Sequence, residues 1–436
     1  MAAEPTSKTA KSANWRSFLQ EKTLVLFFLG FSGGLPFPLV YATLTAWLNE
    51  AGLEKSTIST FAWVGFAYAF KFLWSPLVDR LTLPVLTRLL GRRRSWLLLA
   101  QCATAGGLVV LAGVDPAAAT GAFAAIAVGV AISSATQDMA IDAYRIECAE
   151  LDMQAVLAAS YQYGYRVSLI LGGAGALYIA QYGSWQLAYQ CMAACMLIGI
   201  ATTLYCKEPA VPAGVQSQAI FDEGFTRWFF NSVIGPFVDF LKRYGSFALT
   251  MLAFIAVFRI SDYVLGILAN PFYLDVGFTK AQIASVAKLY GLVVGLVGIA
   301  GGGFAVLKFG LERSLIAAAT LIATTNLFFA ALAYTGPDLW VLAVTISFDN
   351  FAQGFAGTVF IAYLSSLTNL QFTATQYALF SSLSVFFGKL VAGWSGDVQE
   401  SIGYVGFFIY AAALGIPSII LSIVVVRHGE LKKSDD

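Results

Sequence analysis

A chain of 436 residues that is 58% hydrophobic and only 12% charged is too apolar to fold as a soluble protein of its length, and reads as an all-α protein threaded repeatedly through a bilayer. A formal net charge of +1 points to neither a nucleic-acid partner nor an acidic one. The single histidine, His428, lies after the last apolar run, and the five cysteines show no metal spacing. Membrane enzymes built on a histidine base, histidine proton relays and metal centres are therefore excluded, no cofactor is expected, and any proton carrier has to be a carboxylate.

Apolar windows of about twenty residues place twelve spans along the chain. Residues 1–22 are polar, resemble no cleaved signal peptide and form an N-terminal tail. Spans at 23–48, 57–79, 96–114, 119–144, 154–181 and 185–206 make a first half, 23–206. A polar linker follows, 207–245. Within it, Phe225 to Lys242 alternates Trp228, Phe229, Phe237, Phe240 and Leu241 with Arg227, Asp239 and Lys242, the pattern of an amphipathic helix on a membrane surface. Spans at 246–273, 281–307, 314–335, 338–366, 374–398 and 403–426 make a second half, 246–427, with a tail at 428–436. Of the 26 basic residues, five lie within spans. With both termini cytoplasmic, only Lys55 and Lys280 among the others face the opposite side, which sets the orientation.

The halves repeat. WLNEAGLEKSTI (47–58) and FYLDVGFTKAQI (272–283) align at an offset of 225, after the first and seventh spans, and Arg94-Ser95 and Arg313-Ser314 open the third and ninth. Two six-helix halves in parallel repeat, with a site at the midplane between them, are the architecture of the major facilitator fold.

Charges inside the spans follow the same plan. The cations are Lys71, Arg166, Arg259, Lys288 and Lys389; the anions are Asp138, Asp142, Asp262 and Asp349. None lies inside spans three, six, nine or twelve, the lipid-facing supports of that fold. An ionisable side chain in hydrocarbon costs about 2.5–3.5 kcal/mol, so these nine have to pair, be hydrated or line a cavity. Asp138, Asp142 and Arg145, spaced by four and three residues, share one face of the fourth helix. Arg259 and Asp262, three residues apart, are positioned to pair with each other. Five cations against four anions leave a cationic excess suited to an anionic substrate, and the four aspartates are the candidate proton-coupling groups. Tyr41, Tyr161, Tyr165, Gln137, Gln353 and Gln376 join the cations as candidate substrate ligands, because aromatic faces stack on sugar rings and amides bond their hydroxyls. Pro36 and Pro38 on the first span and Pro271 on the seventh are expected to bend cavity-lining helices.

The cytoplasmic loop 78–96 carries Asp79, Arg80, Arg92, Arg93 and Arg94. It resembles the acid-plus-basic loop with which facilitators latch their halves in the outward-open state, and Arg145 and Glu147 lie close enough to the same mouth to join this gating set.

The segments GLPFPLVYATLTAW (34–47), YAFKFLWSPLVDR (68–80), GRRRSW (91–96), SATQD (134–138) with an aspartate four residues on, GYRVSLILGGAGAL (164–177) and FTATQYAL (372–379) resemble the AmpG muropeptide permeases. The resemblance spans both halves. It implies import of N-acetylglucosaminyl-1,6-anhydro-N-acetylmuramyl peptides across the Gram-negative inner membrane for peptidoglycan recycling, with beta-lactamase induction and dependence on the proton motive force. It places Asp138, Asp142, Lys71, Arg166, Asp262, Lys288 and Gln376 on family-like positions, whereas Arg259 and Asp349 match less clearly. Acetyl-CoA transporters share a similar Gln-Asp stretch, so an anionic metabolite is the alternative cargo. The expected partners are a glycopeptide, protons and lipid, and a monomer is the expected assembly.

Overall fold

The computed structural model describes residues 20–150, 153–210, 234–279 and 282–435. Among these, eight helices are long and apolar enough to cross a membrane. They are α1 (Glu21–Glu50), α3 (Arg92–Ala112), α4 (Thr120–Glu147), α6 (Trp185–Tyr205), α7 (Phe247–Val276), α8 (residues 283–309), α9 (Leu311–Thr335) and the run Ser395–His428. Three further segments, α2 (residues 55–80), α5 (residues 154–182) and α10 (Leu339–Leu367), are helical along their length. The helix Thr373–Ala392 continues past Ala392 to a break at Gly403, where φ 69° and ψ 175° suit only glycine. That break divides α11 (residues 373–402) from α12 (residues 404–428) and completes a set of twelve.

Helices α2, α5, α10 and α11, absent from the eight, carry Lys71, Arg166, Asp349 and Lys389. Two of them are also irregular. In α2, short helical pieces alternate with the tighter turns Phe61–Gly65 and Lys71–Leu73. In α5, wider π-turns run from Leu171 to Gly175 and pack against the bend of α1, where Thr43 donates to the Gly172 carbonyl at 2.9 Å. Pro36 and Pro38 interrupt α1, which leaves helical geometry at Val40 and Tyr41. Helix α7 breaks at Arg259 and carries Pro271 further on.

Each half has its own interior. Leu35, Trp47, Phe123, Tyr189 and Met196 pack together in the first; Phe254, Phe258, Leu315, Ile322 and Phe360 do so in the second. The α1–α5 contact is backbone to backbone at Gly164, where a side chain would strike the Phe27 carbonyl and the Phe31 amide.

Two boundaries depart from the windows. Helix α3 begins at Arg92, so the three arginines form its first turn. In the linker, Arg227, Trp228 and Phe229 lie outside the described residues. The remainder forms a helix, Gly235–Tyr244, that docks Pro236 and Phe240 on the second half while Phe237, Val238 and Leu241 stay exposed.

Candidate functional site

The residues of interest form a column between the two halves. At the end where α2 meets α3, α11 begins with backbone N–H groups that no helical carbonyl can satisfy. Asp79 of α2 supplies the acceptor from the other half: its carboxylate takes the N–H of Ala374 at 3.0 Å, and the N–H and hydroxyl of Thr375 at 2.7 Å each. A carboxylate at a helix N-terminus also meets the positive end of the helix dipole. Arg93, fully buried, bridges Asp79 at 2.8 Å and Glu147 at 2.5 Å. Arg92 adds a second bond to Glu147 at 3.0 Å, and Glu147 accepts from Thr373 across the halves at 2.8 Å. Glu208 caps the start of α3 through the amides of Arg93 and Arg94, and burial holds its carboxyl above the ordinary glutamate range. Arg94 turns back to the Thr203 carbonyl, and Arg80 lies over the Phe372 ring. The gating set is thus assembled in one place, with Arg94 holding its own half.

One turn deeper, Arg145 is fully buried and bonds Asp142 at 3.3 Å, Gln154 at 3.2 Å and, across the halves, Ser365 at 2.8 Å. The Tyr377 ring stacks under its guanidinium, 5.2 Å away. Gln162 to Thr358, and Tyr163 to the Leu296 carbonyl, add two more cross-half hydrogen bonds. The two halves are bonded together at this end of the column.

Above this seal the pairing stops. Among the described residues, ion pairs within the membrane join only Asp142 to Arg145 and Arg259 to Asp262 at 3.2 Å. Asp138 is buried, and its Oδ1 has no hydrogen-bond partner. Lys71 lies near enough for its charge to act on Asp138, and Tyr68, Tyr161 and Tyr165 surround the same carboxylate. Arg166 of α5 meets the like charge of Arg259 from the opposite half. On α10, Asp349 accepts from Gln353 at 2.9 Å and feels the charge of Asp262. Lys389 is exposed in the last turn of Thr373–Ala392; Lys288, also exposed, donates to Asn270 near the outer end of α8. Among the described residues of these spans, four cations and two aspartates have no ion-pair partner, twice the excess that the formal count gives; a cavity lined by them would attract anions.

Two expected ligands turn out to be elsewhere. Gln376 is spent on the linker helix: its amide nitrogen donates to the Pro236 carbonyl and to Asp239 at 2.9 Å each, and its oxygen accepts from Arg243 and the Asn369 amide. Gln137 points into the first half, where it donates to Ser32 at 2.9 Å. Being adjacent to Asp138 on one helix, it is rotated about 100° away from it and cannot share its face. Conversely, Phe37, Tyr68, Tyr377, Thr373 and Thr375 belong to the column and were not singled out. All five lie inside the family-like segments 34–47, 68–80 and 372–379.

Comparison with known proteins identifies the framework. The family model described as Major Facilitator Superfamily matches residues 23–393. The chain is 33% identical to "Putative transporter AmpG 4" of Rickettsia conorii over 406 residues, 93% of this chain and 96% of that one. It is 32% identical to the "Anhydromuropeptide permease" of Escherichia coli K12 over 427 residues, 97% of this chain and 83% of that one. Among solved structures it is similar to FucP in the outward conformation, with TM-score 0.69 and 14% identity over 94% of this chain and 99% of that one. The proton:xylose symporter XylE bound to a bromodeoxyglucose gives TM-score 0.66 and 14% identity over 94% and 95%.

Proposed function

The chain belongs to the Major Facilitator Superfamily and, within it, to the AmpG anhydromuropeptide permease family, a multi-pass transporter of the inner membrane and not an enzyme; from that premise we propose that it imports anhydro-muropeptides into the cytoplasm in symport with protons. The observation that carries the reading is the contrast within the column: a charge-paired seal toward the cytoplasm beneath a chamber of unpaired cations around one buried aspartate with an unbonded oxygen.

The substrate enters from the periplasm while Asp79 and Arg93 hold the cytoplasmic ends together. Arg166 and Lys389 attract the peptide carboxylates, and Asp349 with Gln353 offers hydrogen-bond partners from the opposite wall. Asp138 takes a proton from the periplasmic side. Asp142, one turn below, is tied to Arg145, whose other bonds reach Ser365 and Tyr377 of the second half. Occupancy of the chamber and a proton on Asp138 change the field around that tie, and the halves part on the cytoplasmic side. The proton motive force is the only energy source invoked. One proton crossing 100 mV supplies about 2.3 kcal/mol, close to the roughly 2.7 kcal/mol that hundredfold accumulation demands. That sum holds for a cargo of no net charge; each net negative charge carried inward costs about 2.3 kcal/mol per 100 mV, so an anionic muropeptide needs a further proton for each. The near-exclusive placement of basic loop residues on one side supports cytoplasmic termini.

The test is uptake of labelled anhydro-muropeptide by right-side-out vesicles whose only transporter is this protein, with and without a protonophore. Saturable accumulation that the protonophore abolishes is expected. Folded protein that accumulates acetyl-CoA and ignores the muropeptide would overturn the reading in favour of an anionic metabolite.

A further inference from the structure

We propose that Phe37, Tyr41 and Tyr68 form a saccharide subsite in the first half, on the periplasmic side of Asp138, which takes a sugar ring of the cargo and leaves the peptide carboxylates to Arg166 and the second half. The assignment rests on the muropeptide reading and deepens it.

The three rings converge because two helices are broken at the same level. Prolines 36 and 38 end the regular part of α1, and the chain leaves helical geometry at Tyr41. Facing it, α2 is interrupted on either side of Tyr68. The Tyr41 ring lies against the backbone of α2 at Gly65, where a side chain would collide with it. Centroid separations are 4.6 Å for Phe37 to Tyr41, 5.5 Å for Phe37 to Tyr68 and 6.1 Å for Tyr41 to Tyr68. The corresponding interplanar angles are 39°, 73° and 38°, so no two rings are stacked face to face. All three are partly exposed, whereas Phe123 and Tyr189 in the core of the same half are fully buried. The cluster is continuous with the chamber. The Tyr68 hydroxyl donates to Ser134 at 2.9 Å, one turn above Asp138 on α4, and Tyr165 adjoins both tyrosines, Asp138 and Arg166.

The chemistry of this corner suits a pyranose and not a carboxylate. A sugar presents an apolar C–H face that packs on aromatic rings and a rim of hydroxyls for phenol groups. Lys71, one turn from Tyr68 along α2, acts on Asp138; the three rings themselves offer a carboxylate no ionic partner. The repeat sharpens the point. Carried back from 47–58 along the first span, the offset of 225 sets Phe37 and Tyr41 against Asp262 and Gly266. The two walls are thus chemically unlike where their backbones are related, and a ligand with a sugar end and a charged peptide end has one orientation that matches both.

The experiment measures binding of three ligands to the purified full chain in nanodiscs: the anhydro-disaccharide without peptide, the same disaccharide carrying its peptide, and the free peptide. Phe37→Leu and Tyr41→Leu are expected to weaken both disaccharide ligands about tenfold and to leave peptide binding unchanged. Tyr41→Phe, which keeps a ring of the same size, is expected to stay close to wild type. Arg166→Gln is expected to weaken only the peptide-bearing ligands. Thermal unfolding of each variant separates lost folding from lost binding. Disaccharide binding that is unchanged in both folded leucine variants would overturn the subsite alone. Wild-type protein that binds none of the three would overturn the muropeptide reading, and this assignment with it.

Discussion

At the Asp79 end of the column, Asp79, Arg93 and Glu147 place every charge against an opposite one or against a helix terminus. A few turns further into the membrane, Asp138 has an oxygen bonded to nothing and Arg166 faces another arginine. Both regions hold buried charge in hydrocarbon. Leaving a buried charge unpaired costs several kcal/mol, so the second arrangement persists only if something that comes and goes completes it. Complete pairing suits a part that holds the halves together, and on the proposed reading incomplete pairing suits a part that receives cargo and protons.

That contrast is broken most severely at the seal. Replacing Asp79 by Ala removes one of the two carboxylates that hold Arg93, leaving it on Glu147, and uncaps α11, a loss of about 1–3 kcal/mol from the closed conformation. Ala378 packs with Met139 and Ala143 of the opposite half. A cysteine placed at 378, in a background without the native cysteines, is expected to be slow to label from the cytoplasmic side and to label rapidly once Asp79→Ala is added. Equal labelling in both would show that the network does not hold the halves closed.

A smaller effect separates the linker from the chamber. Gln376→Leu removes four hydrogen bonds to the linker helix and the neighbouring loop. A cost of about 1–3 kcal/mol in stability is expected, seen as a lower unfolding temperature with substrate affinity unchanged. Weaker binding at unchanged stability would return Gln376 to the binding site. Smallest of all is Gln137→Leu. It deletes one bond to Ser32 together with an amide oxygen that already lacks a partner, so a change within about 1 kcal/mol is expected in unfolding experiments, with normal transport. A transport defect in stable protein would place Gln137 on the cargo path.

What sequence could disclose follows from the kind of contact involved. Hydropathy and the repeat outline the helices because each span buries its own backbone and needs only apolar length. The prolines of α1 announce its bend; the repeated breaks of α2 have no such marker before Pro76. Charge draws attention to Asp79, Arg92 and Arg93, but the partners of Asp79 are backbone amides 295 and 296 residues away, and an amide has no identity in a sequence. Gln376 and Gln137 attract attention as polar residues in apolar spans, yet each is used up by local contacts. For Gln137 helical rotation relative to Asp138 already argues against a shared face, whereas the docking of the linker on Gln376 is visible only in three dimensions. Phe37 and Tyr68 are unremarkable in a chain with 35 phenylalanines and 19 tyrosines; convergence alone distinguishes them.

The central claim, that the unpaired carboxyl of Asp138 couples cargo to protons, is tested most directly by Asp138→Asn in vesicles, with muropeptide exchange and uphill uptake measured on the same preparation. The variant is predicted to exchange labelled for unlabelled substrate while failing to accumulate it against a gradient. Uphill accumulation equal to wild type would contradict the account.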